Sequence, residues 1–169
     1  MKDIYQYYVE GEVEQRFLEV LKTDMRLIVP GKIQVVNVVE ESLSDFRLRI
    51  LTKGTILVFV FDTDTSNTSI LSSNTIKAKN ASNIKDVYCI TQVKNFEDEL
   101  LRSTSLTKIE DFTHSNSKRN FKRDFIRDKN IKQKLYNYEF DIAKIWIRKP
   151  PKPFDTIMNC SSRIKVKAQ

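Results

Sequence analysis

The sequence predicts an α/β protein built on a mostly parallel sheet with helices on both faces, carrying a basic C-terminal extension. Three observations lead there. Strand-like and helix-like segments alternate over residues 1–103. The run Thr55–Phe61 (TILVFVF) is almost continuously apolar, as in a strand covered on both faces. Acidic residues follow the apolar runs, and in open α/β sheets ligands bind beyond the carboxyl ends of the strands.

Each element has its own signal. Ile4–Val9 (IYQYYV) is β-branched and aromatic, a strand pattern. After Gly11, the residues Val13, Phe17, Val20 and Leu21 line one face of a helix that runs to about Met25. Gly31 marks a turn, and Ile33–Val39 (IQVVNVV) predicts the second strand. Ser42 or Ser44 caps a helix carrying Phe46, Leu48 and Ile50, which Gly54 ends. Thr55–Phe61 is the third, central strand. The Ser-, Thr- and Asn-rich stretch 63–83 holds a helix near Ile70–Ala81, and Val87–Thr91 is the fourth strand. Phe96, Leu100 and Leu101 then recur at helical spacing.

Residues 104–169 form the extension, expected to pack on the same domain. Ser117–Asp128 predicts a helix with Phe121, Phe125 and Ile126 inward, and Asn130–Tyr138 predicts another. Ala143–Ile147, with the single tryptophan, reads as a short strand. Lys149-Pro150-Pro151-Lys152-Pro153 excludes regular structure, and Ser161–Gln169 is expected to fray.

A length of 169 residues suits one domain, at roughly 100–200 residues per domain. No apolar run is long enough for a transmembrane helix, and the N-terminus lacks the features of a secretory signal, so a cytoplasmic protein with no membrane partner is expected. Cys89 and Cys160 form no Cys-x-x-Cys, and with His114 as the single histidine, zinc ribbons and His-based triads are disfavoured. The net charge of +7 is unevenly placed: residues 114–169 hold 15 Lys and Arg against 5 Asp and Glu, whereas residues 1–113 are net acidic. An acidic front with a basic back suits divalent cations beside a phosphate backbone.

The acids are specific. Glu10 directly follows the first strand and Gly11 allows a sharp turn behind it, while Glu12 and Glu14 fall in the first helical turn. The third strand ends in Asp62-Thr63-Asp64, whose mutual repulsion calls for a cation, and hard oxygen ligands suit Mg²⁺ or Mn²⁺. After the fourth strand, Glu97 shares the inward face with Leu100 and Leu101, while Glu99 is expected to point outward toward Arg102. Lys118, Arg119, Lys122, Arg123 and Arg127 on the basic helix are the candidate nucleic-acid contacts.

These residues resemble the Toprim domain of topoisomerases, primases and small nucleases: a glutamate-glycine after the first strand (Glu10-Gly11) and an Asp-x-Asp after a later one (Asp62, Asp64). The segment Val9–Glu14 looks most like the nuclease branch, including the overcoming-lysogenization-defect nucleases, in which a second glutamate stands at the position of Glu14. Phe96-Glu97 and the following leucines are similar to RloB-like proteins of anti-phage defence loci. The resemblance spans roughly residues 4–103. It implies a divalent-metal-dependent nuclease acting on DNA or RNA, with Glu10, Asp62 and Asp64 catalytic and Glu10, Glu14, Asp62, Asp64 and Glu97 binding two Mg²⁺ or Mn²⁺ ions. Glu10 could instead act as general acid or base. It also implies a separate ATPase partner chain, since no Gly-x-x-x-x-Gly-Lys-Ser/Thr loop is present, and leaves a homo-oligomer open.

Two other readings compete. Val58–Thr65 also resembles the strand-then-DxDxT of haloacid-dehalogenase-type phosphatases, with Asp62 as nucleophile and Thr91 and Lys94 as later motifs. That reading lacks a later Asp-Asp pair and leaves Glu10-Gly11 idle. The other is a non-catalytic Toprim regulatory subunit of a defence complex.

Electrostatic binding by the basic helix predicts a log–log salt slope of about −4 to −5 on duplex DNA for about five neutralised phosphates. Charge reversal at Lys118, Lys122 and Arg123 should flatten that slope in a filter-binding titration. An unchanged slope would assign the helix another role.

Overall fold

The computed structural model describes residues 3–166 and is an α/β fold around a four-stranded, all-parallel sheet of order β2-β1-β3-β4. The strands are β1 (Ile4–Val9), β2 (Gly31–Val35), β3 (Thr55–Asp62) and β4 (Ile84–Gln92). Helices α1 (Glu12–Glu19), α2 (Asp45–Arg49) and α3 (Ser69–Asn80) connect them in turn, and α4 (Phe96–Arg102) follows the last strand. Then come α5 (Glu110–Thr113), α6 (Lys118–Arg127) and α7 (Ile131–Asn137). This Rossmann-like arrangement agrees with the expected mostly parallel sheet. No helix among the described residues is long and apolar enough to cross a membrane.

The sheet separates two cores because side chains alternate along each strand. Tyr7, Val9, Val58, Val60, Tyr88 and Ile90 face one side, where α1, α4, α5 and α6 bring Phe17, Phe96, Phe112, Phe121 and Phe125 and α7 brings Ile131 and Leu135. Tyr8, Leu57, Phe59, Phe61, Val87 and Cys89 face the other, with Leu48 of α2, Leu71 and Ala78 of α3, and Phe154. Every residue of β3 is buried, as its apolar run predicts.

Several expectations need correction. Strand β2 begins at Gly31 and ends at Val35, earlier than predicted. Gly31 is a strand residue, and it is glycine because a Cβ there would stand 2.5 Å from the Tyr5 carbonyl oxygen. Helix α2 is capped by Ser44, which accepts from the Arg47 N–H at 3.1 Å. It ends before Gly54, and of its apolar residues Leu48 is buried while Phe46 and Ile50 are exposed. Ala143–Ile147 forms turns in place of a strand, with Trp146 fully buried at a positive φ of 59°. The tail is tied down as far as it is described: Ile164 accepts from the Val29 N–H, and the Val166 N–H donates to Leu27. Lys167–Gln169 lie outside the described residues.

The largest correction is Glu99. It does not point to solvent; its side chain is buried on α4 and holds three partners. Oε1 accepts from the Val93 N–H at 2.8 Å and from Arg102 at 2.9 Å, and Oε2 accepts from the Trp146 N–H at 2.9 Å. Residues after α7 cover the face of α4 that helical spacing assigned to water. A buried charge with three charge-assisted partners resists removal. Glu99→Ala should cost about 3–5 kcal/mol and lower the melting temperature by roughly 10 °C, read by thermal denaturation. A change within roughly 0.5 kcal/mol would mean that Glu99 does not anchor the C-terminal segment.

Candidate active site

The parallel register brings the predicted acids together. Val9 pairs with Val60, so β1 and β3 finish nearly level at their carboxyl ends. Glu10 leaves the end of β1 and its Oε2 accepts from the Asp62 backbone N–H at 3.0 Å. Glu14, one turn into α1, is buried close behind. Gly11 has an extended backbone (φ −150°, ψ −179°) that any residue could adopt, so its role is not a sharp turn. Its missing Cβ leaves room for Glu14, whose Oε2 would lie 3.1 Å from such an atom.

Asp62 is 5% exposed, and its Oδ1 accepts from Gln92 Nε2 at 2.6 Å. Gln92 is oriented in turn by Trp146, whose indole N–H donates to Gln92 Oε1 at 3.4 Å. Thr63, between the two aspartates, is buried; its hydroxyl and backbone N–H both donate to the Gln92 carbonyl, which ties the end of β3 to β4. Asp64 lies beyond this tie and is exposed, so the two aspartates stand in different surroundings.

Helix α6 closes one side. Lys122 Nζ stands 3.4 Å from Glu97 Oε1, while Glu97 Oε2 is buried without a hydrogen-bond partner. A cleft of about 380 Å³ is lined by Glu10, Glu14, Asn37, Glu40, Asp62 and Lys122, among others. The structure therefore gathers Glu10, Glu14, Asp62, Glu97 and Lys122. Lys118, Arg119, Arg123 and Arg127 are exposed elsewhere on α6, with Arg123 paired to Asp124 at 2.9 Å. Thr91 is fully buried within β4, and Lys94 is exposed in the turn after it.

Lys122, expected among the basic contacts of α6, stands against the acids. Sequence reasoning missed three contributors. Asn37 and Glu40 follow β2, and applying the strand-end rule to that strand as well would have found them. Their loop is held by Asn74 of α3, which accepts from the Leu43 N–H at 2.8 Å and donates to the carbonyls of Val38 and Glu41. Gln92 carried no signal in sequence.

The electrostatics follow from this crowding. Burial, then Glu10 and Glu14, push the Asp62 carboxyl up to about 8, against the opposing donation from Gln92. Burial also raises Glu10, opposed by the Asp62 N–H, and raises Glu14, opposed in part by Lys122. For Lys122, burial opposes the charge, but Glu97, Glu14 and Asp62 overcome it and the ammonium is held above its ordinary range.

No group of three or more His, Cys, Asp or Glu among the described residues is arranged to hold a metal ion. Glu10 is engaged with a backbone N–H and Glu97 with Lys122. The donor set nevertheless fits a hard divalent cation: the gathered ligands are carboxylate oxygens, Asp62 is buried and crowded by Glu10 and Glu14, and one buried Glu97 oxygen is unpartnered. No family model, curated protein or solved structure matches this chain.

A raised carboxyl favours folding only while protonated. The contribution of Asp62 is thus fully present below its unfolded value near 4 and is lost as pH rises through about 8. In chelator, denaturant-derived stability should fall between pH 5 and 8, and Asp62→Asn should flatten that decline. Equal slopes in both proteins would place the repulsion elsewhere.

Proposed function

We propose that this protein is a divalent-metal-dependent phosphodiesterase of Toprim type that cleaves DNA or RNA. The observation that carries the reading is the contact between the two strand ends that the Toprim resemblance singles out: Glu10 beside Gly11, hydrogen-bonded to the backbone of Asp62. Glu10, Glu14, Asp62, Asp64 and Glu97 would hold Mg²⁺ or Mn²⁺. Bound there, such ions supply Lewis-acid polarisation of a phosphoryl oxygen and activation of water.

The remaining chemistry belongs to the chain's own residues. Gln92 keeps one Asp62 oxygen fixed and leaves the other directed away from it. Lys122 brings a positive charge to the mouth of the acidic cleft, where a phosphate would otherwise be repelled. The exposed Lys118, Arg119, Arg123 and Arg127 extend that charge along α6 and favour approach of a polyanion. Glu10, if it did not ligate the metal, would instead serve as a proton acceptor, since burial makes it a stronger base than an exposed carboxylate. A separate ATPase chain as controlling partner, a homo-oligomer and a role in anti-phage defence belong to the same proposal.

The test is purified protein with Mg²⁺ or Mn²⁺ against plasmid, single-stranded DNA and total RNA. Wild type should cleave at least one substrate, and Asp62→Asn should lower the rate by about 100-fold or more. Saturating Mn²⁺ should raise the wild-type melting temperature by roughly 5–10 °C and leave Asp62→Asn nearly unmoved. Metal-dependent stabilisation without cleavage would favour a non-catalytic regulatory subunit. Neither effect would reject the metal site.

A further inference from the structure

A second cleft lies under α2, on the sheet face opposite the one that α1 covers. On that face the inward residues of β1 and β2 change character. Gln6 is opposite Lys32 and Tyr8 is opposite Gln34, so three polar side chains occupy positions that the neighbouring strands fill with Leu57, Phe59, Val87 and Cys89. Gln6 is buried, whereas Gln34 is half-buried and Lys32 exposed at this corner of the sheet. Helix α2 has five residues and leaves this corner open as a cleft of about 270 Å³, lined by Gln6, Tyr8, Lys32, Gln34, Phe46 and Arg47 with their neighbours.

The lining is incompletely satisfied. Tyr8 is fully buried, and its hydroxyl has no neighbour in hydrogen-bond geometry, although Arg47 is close enough to oppose part of the upward push that burial gives the phenol. The Arg47 guanidinium lies 5.9 Å from the centroid of the same ring. Neither Arg47 nor Lys32 forms an ion pair with any described residue, and Asp45, the acid closest to Arg47 in sequence, is taken by Lys77 at 3.0 Å. Gln6 Nε2 donates to Gln34 Oε1 at 3.2 Å, which leaves the Gln34 amide N–H groups without a hydrogen bond among the described residues. Phe46 is 66% exposed at the rim and belongs to neither core.

We propose that this cleft binds a nucleotide, its phosphate held by Arg47 and Lys32 with the Tyr8 hydroxyl, its base laid on Phe46 and edged by the Gln6–Gln34 amides. Two cations without an ion pair, beside a buried hydroxyl, call for an anion. An exposed aromatic face calls for a planar ring, and side-chain amides match the paired donor and acceptor of a base edge. The ligand is either a free mononucleotide or the terminal nucleotide of a single strand, since both present this chemistry. The proposal stands apart from the metal-dependent reading: the cleft shares no lining residue with the acidic site.

The test is isothermal titration in chelator, with adenosine monophosphate, a 5′-phosphorylated tetranucleotide, adenosine and inorganic phosphate as separate probes. Adenosine monophosphate should bind at least tenfold more tightly than adenosine or phosphate alone. A tetranucleotide that binds more tightly still identifies a strand end as the ligand; equal affinity identifies the free nucleotide. Phe46→Ala and Arg47→Ala should each weaken binding about tenfold or more. Tyr8→Phe should weaken it severalfold with little change in melting temperature. Asp62→Asn should leave binding intact, which separates this site from the acidic one. Absence of binding by the wild type at millimolar nucleotide, or affinity unaltered in all three cleft variants, overturns the proposal.

Discussion

The parallel pairing of β1 with β3 is the constraint on which the rest of the structure depends. With Val9 opposite Val60, the two strands end almost level, and the residue leaving β1 meets the backbone of the residue ending β3. Glu10 and Asp62 are far apart in the chain and become neighbours through that register alone. A one-residue slip would turn every side chain of β1 to the other face, exchanging the apolar Tyr7 and Val9 with Gln6 and Tyr8. The core and the acidic edge are therefore specified together.

Gathering carboxylates at a buried edge opposes folding, and the compensation comes from distant parts of the chain. Gln92 on β4 donates to Asp62, and Trp146, much later in sequence, orients that amide through its indole N–H. The backbone N–H of Trp146 is in turn held by Glu99. The C-terminal segment thus reaches the acidic edge in two steps, Glu99 to Trp146 and Trp146 to Gln92. From the other side, α6 contributes Lys122 while its Phe121 and Phe125 anchor the helix in the first core. The C-terminal third both completes that core and tunes the charges at the strand ends.

The positions of β1, β3, α3, α6 and α7 were legible in sequence because each carries a local signal that survives its surroundings. A continuous apolar run belongs to a central strand, and a phenylalanine pair at helical spacing belongs to a helix with one buried face. Periodicity fails when an element is covered on more than one side. Helix α4 shows this: Glu97 and Glu99 are both buried, although spacing assigned them to opposite environments. It fails again around Trp146, where a β-branched and aromatic segment folds as turns because its backbone N–H and carbonyl are taken by Glu99, Asn159 and Ser161 instead of a strand.

The sequence by itself determined the layered α/β architecture and the presence of acids at the strand ends, because both follow from local patterns: alternation, apolar runs, and charge directly after them. Only the tertiary structure decided which acids meet, that Asp62 is buried while Asp64 faces water, and that Lys122 enters the acidic cleft. It alone turned Glu99 into an internal anchor and set the buried Tyr8 beside Arg47. Those outcomes depend on residues brought together from distant parts of the chain. Burial and pairing are properties of neighbours in space, and a one-dimensional pattern does not contain them.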